Sequence, residues 1–471
     1  MALMSDLTMT IAGGEVPMLA TISVEDPATG APTAIAPQCT ADQLDDAMNA
    51  ANSAFGEWRQ DRVARQRALK ELADTMESHL AELAELITTE EGKPLSESRS
   101  EIEGAVGELR YFGDLQVSDD VLRDDIHTTV KVIRRPIGPV AAITPWNFPL
   151  GTSVAKIAPA LAAGCTMVLK SSPFTPLSCL RFGELTREVL PPGVLNVISG
   201  SDQVGAWMAE HPIPRMTSFT GSVATGKRVA AAAAPDLKRI TLELGGNDPA
   251  ILLEDADIAK VADGLFANAF GNCGQICVAI KRVYVPDRLH DELVEALVAR
   301  ASAVKVGDGH EEGTQIGPLV NRTQLERVSG LVQDAVNHGA RVAVGGDVMR
   351  QPGYFFEPTI LTEIDDSARI VSEEQFGPAL PILRYRDLGD ALRRANDSHF
   401  GLGASIWTSD PDRGAAIADS LDSGTVWINT HQDAIAGQPC AGFKWSGIGV
   451  EGGPWGLISF TEVQAIHVAR A

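Results

Sequence analysis

The chain has 471 residues, 44% of them hydrophobic, with 62 Asp and Glu against 39 Lys and Arg, a net charge of −23. It is longer than the roughly 250–300 residues at which a single core stops growing, so two α/β-sized lobes are expected. The negative field argues against nucleic acid and membrane surfaces as partners. Six cysteines are too few for a disulfide framework.

The opening MALMSDLTMTIAGG has neither a basic start nor a useful apolar run, and no stretch approaches the roughly 20 apolar residues of a membrane span. A cytoplasmic protein is the expectation. ADQLDDAMNAANSAFGEW (41–58) and VARQRALKELADTMESHLAELAELITTEEG (63–92) carry apolar residues at helical spacing, and Gly92 with Pro94 stops the second. HTTVKVIRR (127–135) alternates like a half-exposed strand.

From Gly138 short apolar strands alternate with Ala-rich helices: PVAAIT, a helix to Ala163, TMVLK, a helix after Pro176, VLNVIS, a helix, MTSFT, a helix, RITLEL. A second series follows Glu243: PAILL, RVYVP, RVAVGG, FEPTIL, LGASIWT and GTVWIN. This alternation predicts two doubly wound α/β lobes with parallel sheets, joined near residue 245. SFTEVQAIHVA, near the C-terminus, reads as another edge strand.

The segment FGNCGQICVAIKR (270–282) puts Cys273 and Cys277 four residues apart. Zinc needs four ligands, and no second pair lies near in sequence, so no metal is expected. Cys273 reads as core. Cys277 follows a Gly-rich polar approach and precedes the apolar VAI, which suits a nucleophile that needs a base. Glu243, in TLELGGNDP, ends a strand where α/β folds place ligands. Equally, a Glu before a Gly-Gly turn can simply be solvated. Asn147, in TPWNFPLGT, is held between prolines and could donate to an oxyanion or bond its own turn. In SFTGSVATGK, Gly221 and Gly226 bracket a turn that opens a helix, a geometry for pyrophosphate. The formal dinucleotide pattern GIGVEG (447–452) lacks a preceding buried strand and is set aside.

Together these motifs resemble the NAD(P)-dependent aldehyde dehydrogenase superfamily. The likeness is carried by PWNFP, VLK with a downstream TPLS, PPGVLNVISG, FTGS, LELGGNDP, GQICVAIKRVYV, IGPLVN, EEQFGP, GTVWIN and GFKWSGIG, in that order along the chain. The resemblance implies a Rossmann-like cofactor-binding domain over 1–117 and 138–245, oligomerisation strands over 118–137, a catalytic domain over 246–445, and a C-terminal return and oligomerisation strand over 446–471. It makes Cys277 the nucleophile, Glu243 the general base and Asn147 an oxyanion donor together with the Cys277 N–H. Lys170 would hold the adenosine ribose, Ser222 the pyrophosphate, and Glu374 and Phe376 the nicotinamide end. Thr144, Pro145, Trp146, Ser172, Gly221, Gly226, Leu244 and Gly245 would complete the cofactor path. Phe148, Thr152, Ala155, Ile276, Val278 and Cys440 would shape the substrate pocket.

Glu243 favours release of a free acid over transfer to coenzyme A. Where many NAD-using members carry Glu three residues after the ribose lysine, this chain has Pro173. NAD is therefore expected, with NADP not excluded. Where many members read PFGG, this chain reads PCAG (439–442). Neither WNFPLGTSVA nor HQDAIAGQPC contains an arginine that could clamp a second carboxylate. The expected substrate is a neutral, fairly bulky aliphatic or aromatic aldehyde, the alternatives being a succinate-semialdehyde type or a CoA-acylating enzyme. A binding protein on the same fold is the alternative of another class. In the family the exposed edge strands pair between subunits, which implies a homodimer or homotetramer.

Overall fold

The computed structural model describes residues 6–470. Two large sheets organise it. The first has eight strands in the order Gly447–Ile448, Arg239–Glu243, Met216–Thr220, Pro139–Ile143, Thr166–Lys170, Leu195–Ile198, Thr10–Ile11, Gly14–Glu15. The five from Arg239–Glu243 to Leu195–Ile198 run parallel, and the short outer strands are antiparallel. The second sheet orders Arg341–Val344, Thr359–Thr362, Ala379–Tyr385, Ile280–Pro286, Asp248–Leu252, Gly403–Trp407 and Thr425–Ile428. It is parallel except for Arg341–Val344. Most strands of both are buried on both faces, as continuous apolar runs require when helices cover each side.

In the first sheet the chain lays Pro139–Ile143, Thr166–Lys170 and Leu195–Ile198 outward in one direction. It then returns to place Met216–Thr220 on the other side of Pro139–Ile143. The strand order therefore reverses between Ile143 and Thr220. A crevice opens at the carboxyl ends of strands at such a switch point, and Trp146, Asn147, Gly221 and Ser222 follow those two ends.

Three differences from the sequence reading have a local cause. The pattern over 63–92 is two helices, Arg62–Ser78 and Leu80–Glu91. The Ser78 hydroxyl and the His79 ring both bond to the Thr75 carbonyl, at 2.8 and 2.9 Å, and such local side-chain bonds compete with the helical ladder. Helix Leu95–Asp114 was not anticipated, because Gly104, Gly107 and Gly113 weaken its signal. Strand Ala379–Tyr385 was hidden by Pro381, which cannot donate to a ladder.

Strand Thr461–Ala469 pairs antiparallel with Thr128–Pro136 of the same chain, and Asp120–Asp124 covers the far side of the latter. Among the described residues no helix is long and apolar enough to cross a membrane.

Candidate active site

The two sheets face each other across a cleft of about 580 Å3. Its walls include Pro145, Trp146, Asn147 and Phe148 from the turn after Ile143, Thr152 from the helix that follows, and Gly221 and Ser222 from the turn after Thr220. Leu244 and Gly245 after Glu243, then Cys277, Glu374 and Phe376, complete the set that the sequence brought forward. Trp146 meets Phe376 edge to face at 5.4 Å.

Asn147 is buried and held from both ends. Its amide Nδ2 donates to the Gln275 carbonyl at 2.9 Å. An amide nitrogen carries two hydrogens, so one remains for the cleft that Asn147 lines. Its backbone carbonyl accepts from Lys93 Nζ at 2.7 Å and from Asn272 Nδ2 at 3.0 Å. Gln275 is itself fixed, its Oε1 accepting from Val320 N at 2.9 Å.

Cys277 is half-buried and faces the cleft, whereas Cys273 is 1% exposed and belongs to the core around the second sheet. The approach to Cys277 is a tight turn, Gly271–Gly274, in which Asn272 and Cys273 take left-handed φ of 47° and 55°. Burial, then the carboxylates of Glu374, Asp248 and Glu243, push the Cys277 thiol up to about 12. In the protein alone this sulfur is a thiol, and its proton must leave when an electrophile arrives.

Glu243 is buried, and its Oε1 has no partner among the described residues. Burial first and the Glu451 carboxylate second raise its carboxyl well above the usual range, against the opposing pull of Lys156. The Lys156 ammonium pairs with Glu451, and Ser218 Oγ also donates to that carboxylate at 3.3 Å. Cys440, exposed, points its thiol at Glu243 Oε2 from 3.8 Å. The Cys440 and Cys277 sulfurs and the Glu243 carboxyl share one neighbourhood. A base kept dry and poorly solvated, beside a thiol on a cleft, can take a proton from sulfur or from water.

The dinucleotide expected from the sequence fits what is present. Ser222 caps helix Val223–Ala233, its Oγ accepting from Thr225 N at 3.3 Å, and the helix N-terminus opens on the cleft through Ser222, Val223 and Ala224. Glycine at 245 leaves room for Glu374, whose Oε2 a Cβ there would overlap. Glu374 Oε1 accepts from Gly246 N at 3.0 Å, and burial lifts its carboxyl to about 7. Gly221 contributes shape rather than a free donor, since its N–H goes to the Glu243 carbonyl at 3.0 Å.

Other expected residues lie outside this wall. Gly226 is buried one turn into the helix, where a Cβ would come within 2.5 Å of Leu244 Cδ2, so it serves packing. Thr144 is buried and shares a hydroxyl bond with Ser153 at 3.2 Å. Lys170 ends its strand with Nζ on the Ser171 carbonyl at 2.9 Å, and burial lowers its amine to about 8. Ser172 Oγ accepts from Phe174 N at 3.2 Å. On the substrate side, Thr152, which does line the wall, spends its hydroxyl on the Phe148 carbonyl at 2.6 Å, and Val278 offers its carbonyl to the His431 ring at 2.7 Å. Ala155 and Ile276 are half-buried beside them.

Sequence reasoning missed Lys93, Glu101, Gln275, Lys156 and Glu451, which hold the named residues without touching the cleft. It also missed Arg327, which lines the cleft and donates to the Glu374 carbonyl at 2.9 Å. Gln275 stood inside the quoted GQIC, and Glu451 inside the GIGVEG that was set aside.

The aldehyde dehydrogenase family model matches residues 17–466. The chain is 40% identical over 450 residues to the NADP(+) succinate-semialdehyde dehydrogenase GabD of Escherichia coli (strain K12), covering 94% of this chain and 93% of that one. It is 40% identical over 437 residues to human retinaldehyde dehydrogenase 3, covering 90% and 85%. Among solved structures it superposes on an aldehyde dehydrogenase from Bacillus cereus in complex with NAD+ with a TM-score of 0.96 and 37% identity, over 98% of this chain and 96% of that one. With a cysteine on a cleft at a parallel-sheet switch point and a family match from end to end, this chain belongs to the aldehyde dehydrogenase family.

Proposed function

We propose that this protein oxidises an aldehyde to the free carboxylic acid with NAD+, or NADP+, through acyl attachment to Cys277. The carrying observation is that Cys277 opens on the cleft beside an Asn147 amide whose direction is fixed by Gln275. A bound nicotinamide dinucleotide supplies the acceptor for the hydride that leaves the aldehyde carbon. Ser222 and the helix behind it would hold its diphosphate, Glu374 and Phe376 its nicotinamide end, and Lys170 its adenosine ribose.

The sulfur of Cys277 bonds to the aldehyde carbon as its proton passes to a base. The oxygen that becomes an alkoxide is met by Asn147 Nδ2 and the Cys277 N–H, a kind of donor worth about 3–4 kcal/mol in acyl chemistry. Oxidation leaves the acyl group on sulfur as a thioester. Glu243 then draws a proton from water, which attacks that carbonyl, and sulfur departs as the acid is released.

The proposed substrate is a neutral, fairly bulky aldehyde. Arg327, the one guanidinium of the cleft wall among the described residues, is turned to the Glu374 carbonyl and to Glu373. The carboxyls of Glu243 and Glu451 lie near Cys440, and Lys156 is committed to the latter. That setting disfavours a second carboxylate on the substrate. A succinate-semialdehyde activity is the second reading, favoured by the likeness to GabD. A homodimer or homotetramer is also proposed: the outer edge of Thr461–Ala469 carries no partner strand among the described residues, with Val463 and Val468 exposed, and such edges call for cover.

The test is absorbance of reduced cofactor after aldehyde addition, in wild type and in Cys277→Ser. Loss of the signal in the variant is expected. Retention of the wild-type rate would remove Cys277 from the mechanism.

A further inference from the structure

Lys93 lies on no cleft and bears no role in the chemistry above, yet it is among the largest fully buried side chains of the molecule. It sits in the short link between helices Leu80–Glu91 and Leu95–Asp114. Gly92 begins that link in the left-handed region, φ 97°, and a Cβ there would meet Pro318 Cγ at 2.6 Å. The turn thus throws Lys93 inward. Its backbone N–H is held by Glu91 Oε2 at 3.0 Å.

An ammonium has three donors, and each has a target here. One reaches Glu101 Oε2 at 2.8 Å, one the Asn147 carbonyl at 2.7 Å, and the charge stands 3.7 Å from the centre of the Phe148 ring. Glu101 uses its other oxygen on the next turn of chain, accepting from Leu150 N at 3.0 Å and Gly151 N at 2.9 Å. These are orphan donors at the start of helix Pro149–Ala163, whose own N-cap residue, Phe148, provides no side-chain bond. A dry ion pair of this kind, 0% and 1% exposed, is expensive to bury and is weak support for stability as such. What it does geometrically is tie the Asn147 carbonyl to the Leu150 and Gly151 N–H groups through one ion pair.

We infer that Lys93, with Glu101, is a positioning residue for the oxyanion donor: it fixes the Asn147 backbone so that the free Nδ2 hydrogen points at the alkoxide position. The inference rests on the proposed Cys277 chemistry. Hydrogen bonds that stabilise a developing charge depend on being aimed before the reaction, and a displacement near 1 Å costs about 10²-fold. Lys93 acts only through Asn147, so its effect vanishes when the Asn147 amide is absent.

A double-mutant cycle tests this with Lys93→Met, Asn147→Ala and the pair, read by the burst of reduced cofactor with aldehyde and by cofactor-free hydrolysis of 4-nitrophenyl acetate. Lys93→Met is expected to slow both about ten- to a hundredfold in the wild-type background, and less than about twofold in the Asn147→Ala background. Cofactor affinity, measured by fluorescence quenching, should stay within about twofold. Glu101→Gln carries the same cycle if Lys93→Met does not fold. Equal losses in both backgrounds would overturn the inference and leave Lys93 a structural residue. An inactive wild-type protein would instead overturn the proposed function, so the two failures are distinguishable.

Discussion

The Cys440 thiol lies 3.8 Å from Glu243 Oε2 and is the side chain that bonds to this otherwise unpartnered carboxylate among the described residues. A bond to the charged form lowers a carboxyl pKa, and here it opposes burial and Glu451. Removing it in Cys440→Ala raises the Glu243 pKa further. Glu243 works as a base only when deprotonated, so the acid limb of the kcat profile moves to higher pH. Steady-state rates from pH 5 to pH 9 check this, and a limb that stays in place would detach Cys440 from the base.

Glu243→Gln separates the two halves of the reaction. The amide cannot take a proton from water, while Cys277 and Asn147 are unchanged. One equivalent of reduced cofactor per active site is expected in a burst, followed by turnover slowed about 10²–10⁴-fold. Rapid mixing at 340 nm measures both phases. Loss of the burst with the turnover would show that Glu243 also takes the Cys277 proton.

Several residues that touch the cleft were legible because their chemistry is local. Cys277, Asn147 and Glu374 sit beside glycines, prolines or aromatics that shape one turn each, and the alternating apolar strands fixed which chain ends meet. Lys93, Glu101, Lys156 and Glu451 were not legible. Each contacts a partner far away in sequence, 54 residues for Lys93 with Asn147 and 295 for Lys156 with Glu451. A lysine in EEGKPL or a glutamate in GVEGG looks solvated until the fold removes the water. Helix Leu95–Asp114 was lost for a related reason: its glycines weaken the local signal, and its helical form comes from packing on Arg62–Ser78 and Pro149–Ala163.

Glu90 gives the fold a pH dependence. Its carboxyl is fully buried and accepts from Leu177 N at 2.5 Å, Ser178 N at 3.0 Å and Ser178 Oγ at 2.5 Å. Burial outweighs these bonds and lifts it from 4.5 to about 8. The folded state therefore holds a proton that the unfolded chain has lost between those values, and stability falls as pH rises through that window. Glu90→Gln has no such proton. Its stability deficit relative to wild type should shrink from pH 5 to pH 9, as read by urea midpoints. A constant deficit would show that Glu90 is charged when folded.

Pro173→Glu tests the cofactor preference. Position 173 is three residues beyond Lys170, the residue proposed to hold the adenosine ribose. A carboxylate there would accept from ribose hydroxyls and repel a 2′-phosphate. The ratio of kcat/KM for NAD+ over NADP+ should rise at least about tenfold, consistent with one charged hydrogen bond of about 1.5–3 kcal/mol. An unchanged ratio would place the adenosine ribose elsewhere.

The substrate preference turns on charge beyond Cys277. A semialdehyde carries its carboxylate into whatever lies on that side, and desolvating the anion is tolerable only against a matched donor set such as a guanidinium. Ala155, half-buried one turn beyond Thr152 on the helix that follows Asn147, is too small to offer one, and Lys156, the nearby ammonium, is already committed to Glu451. Wild type should therefore have a higher kcat/KM for hexanal or benzaldehyde than for succinate semialdehyde. Ala155→Arg supplies the missing donor at a point where the helix is open. It should raise kcat/KM for succinate semialdehyde by about ten- to a hundredfold, the worth of one charge-assisted pair, and leave hexanal unchanged or slower. If wild type already prefers succinate semialdehyde, the anion is met by backbone N–H groups or by helix ends rather than by a cation, and the likeness to GabD extends to the substrate.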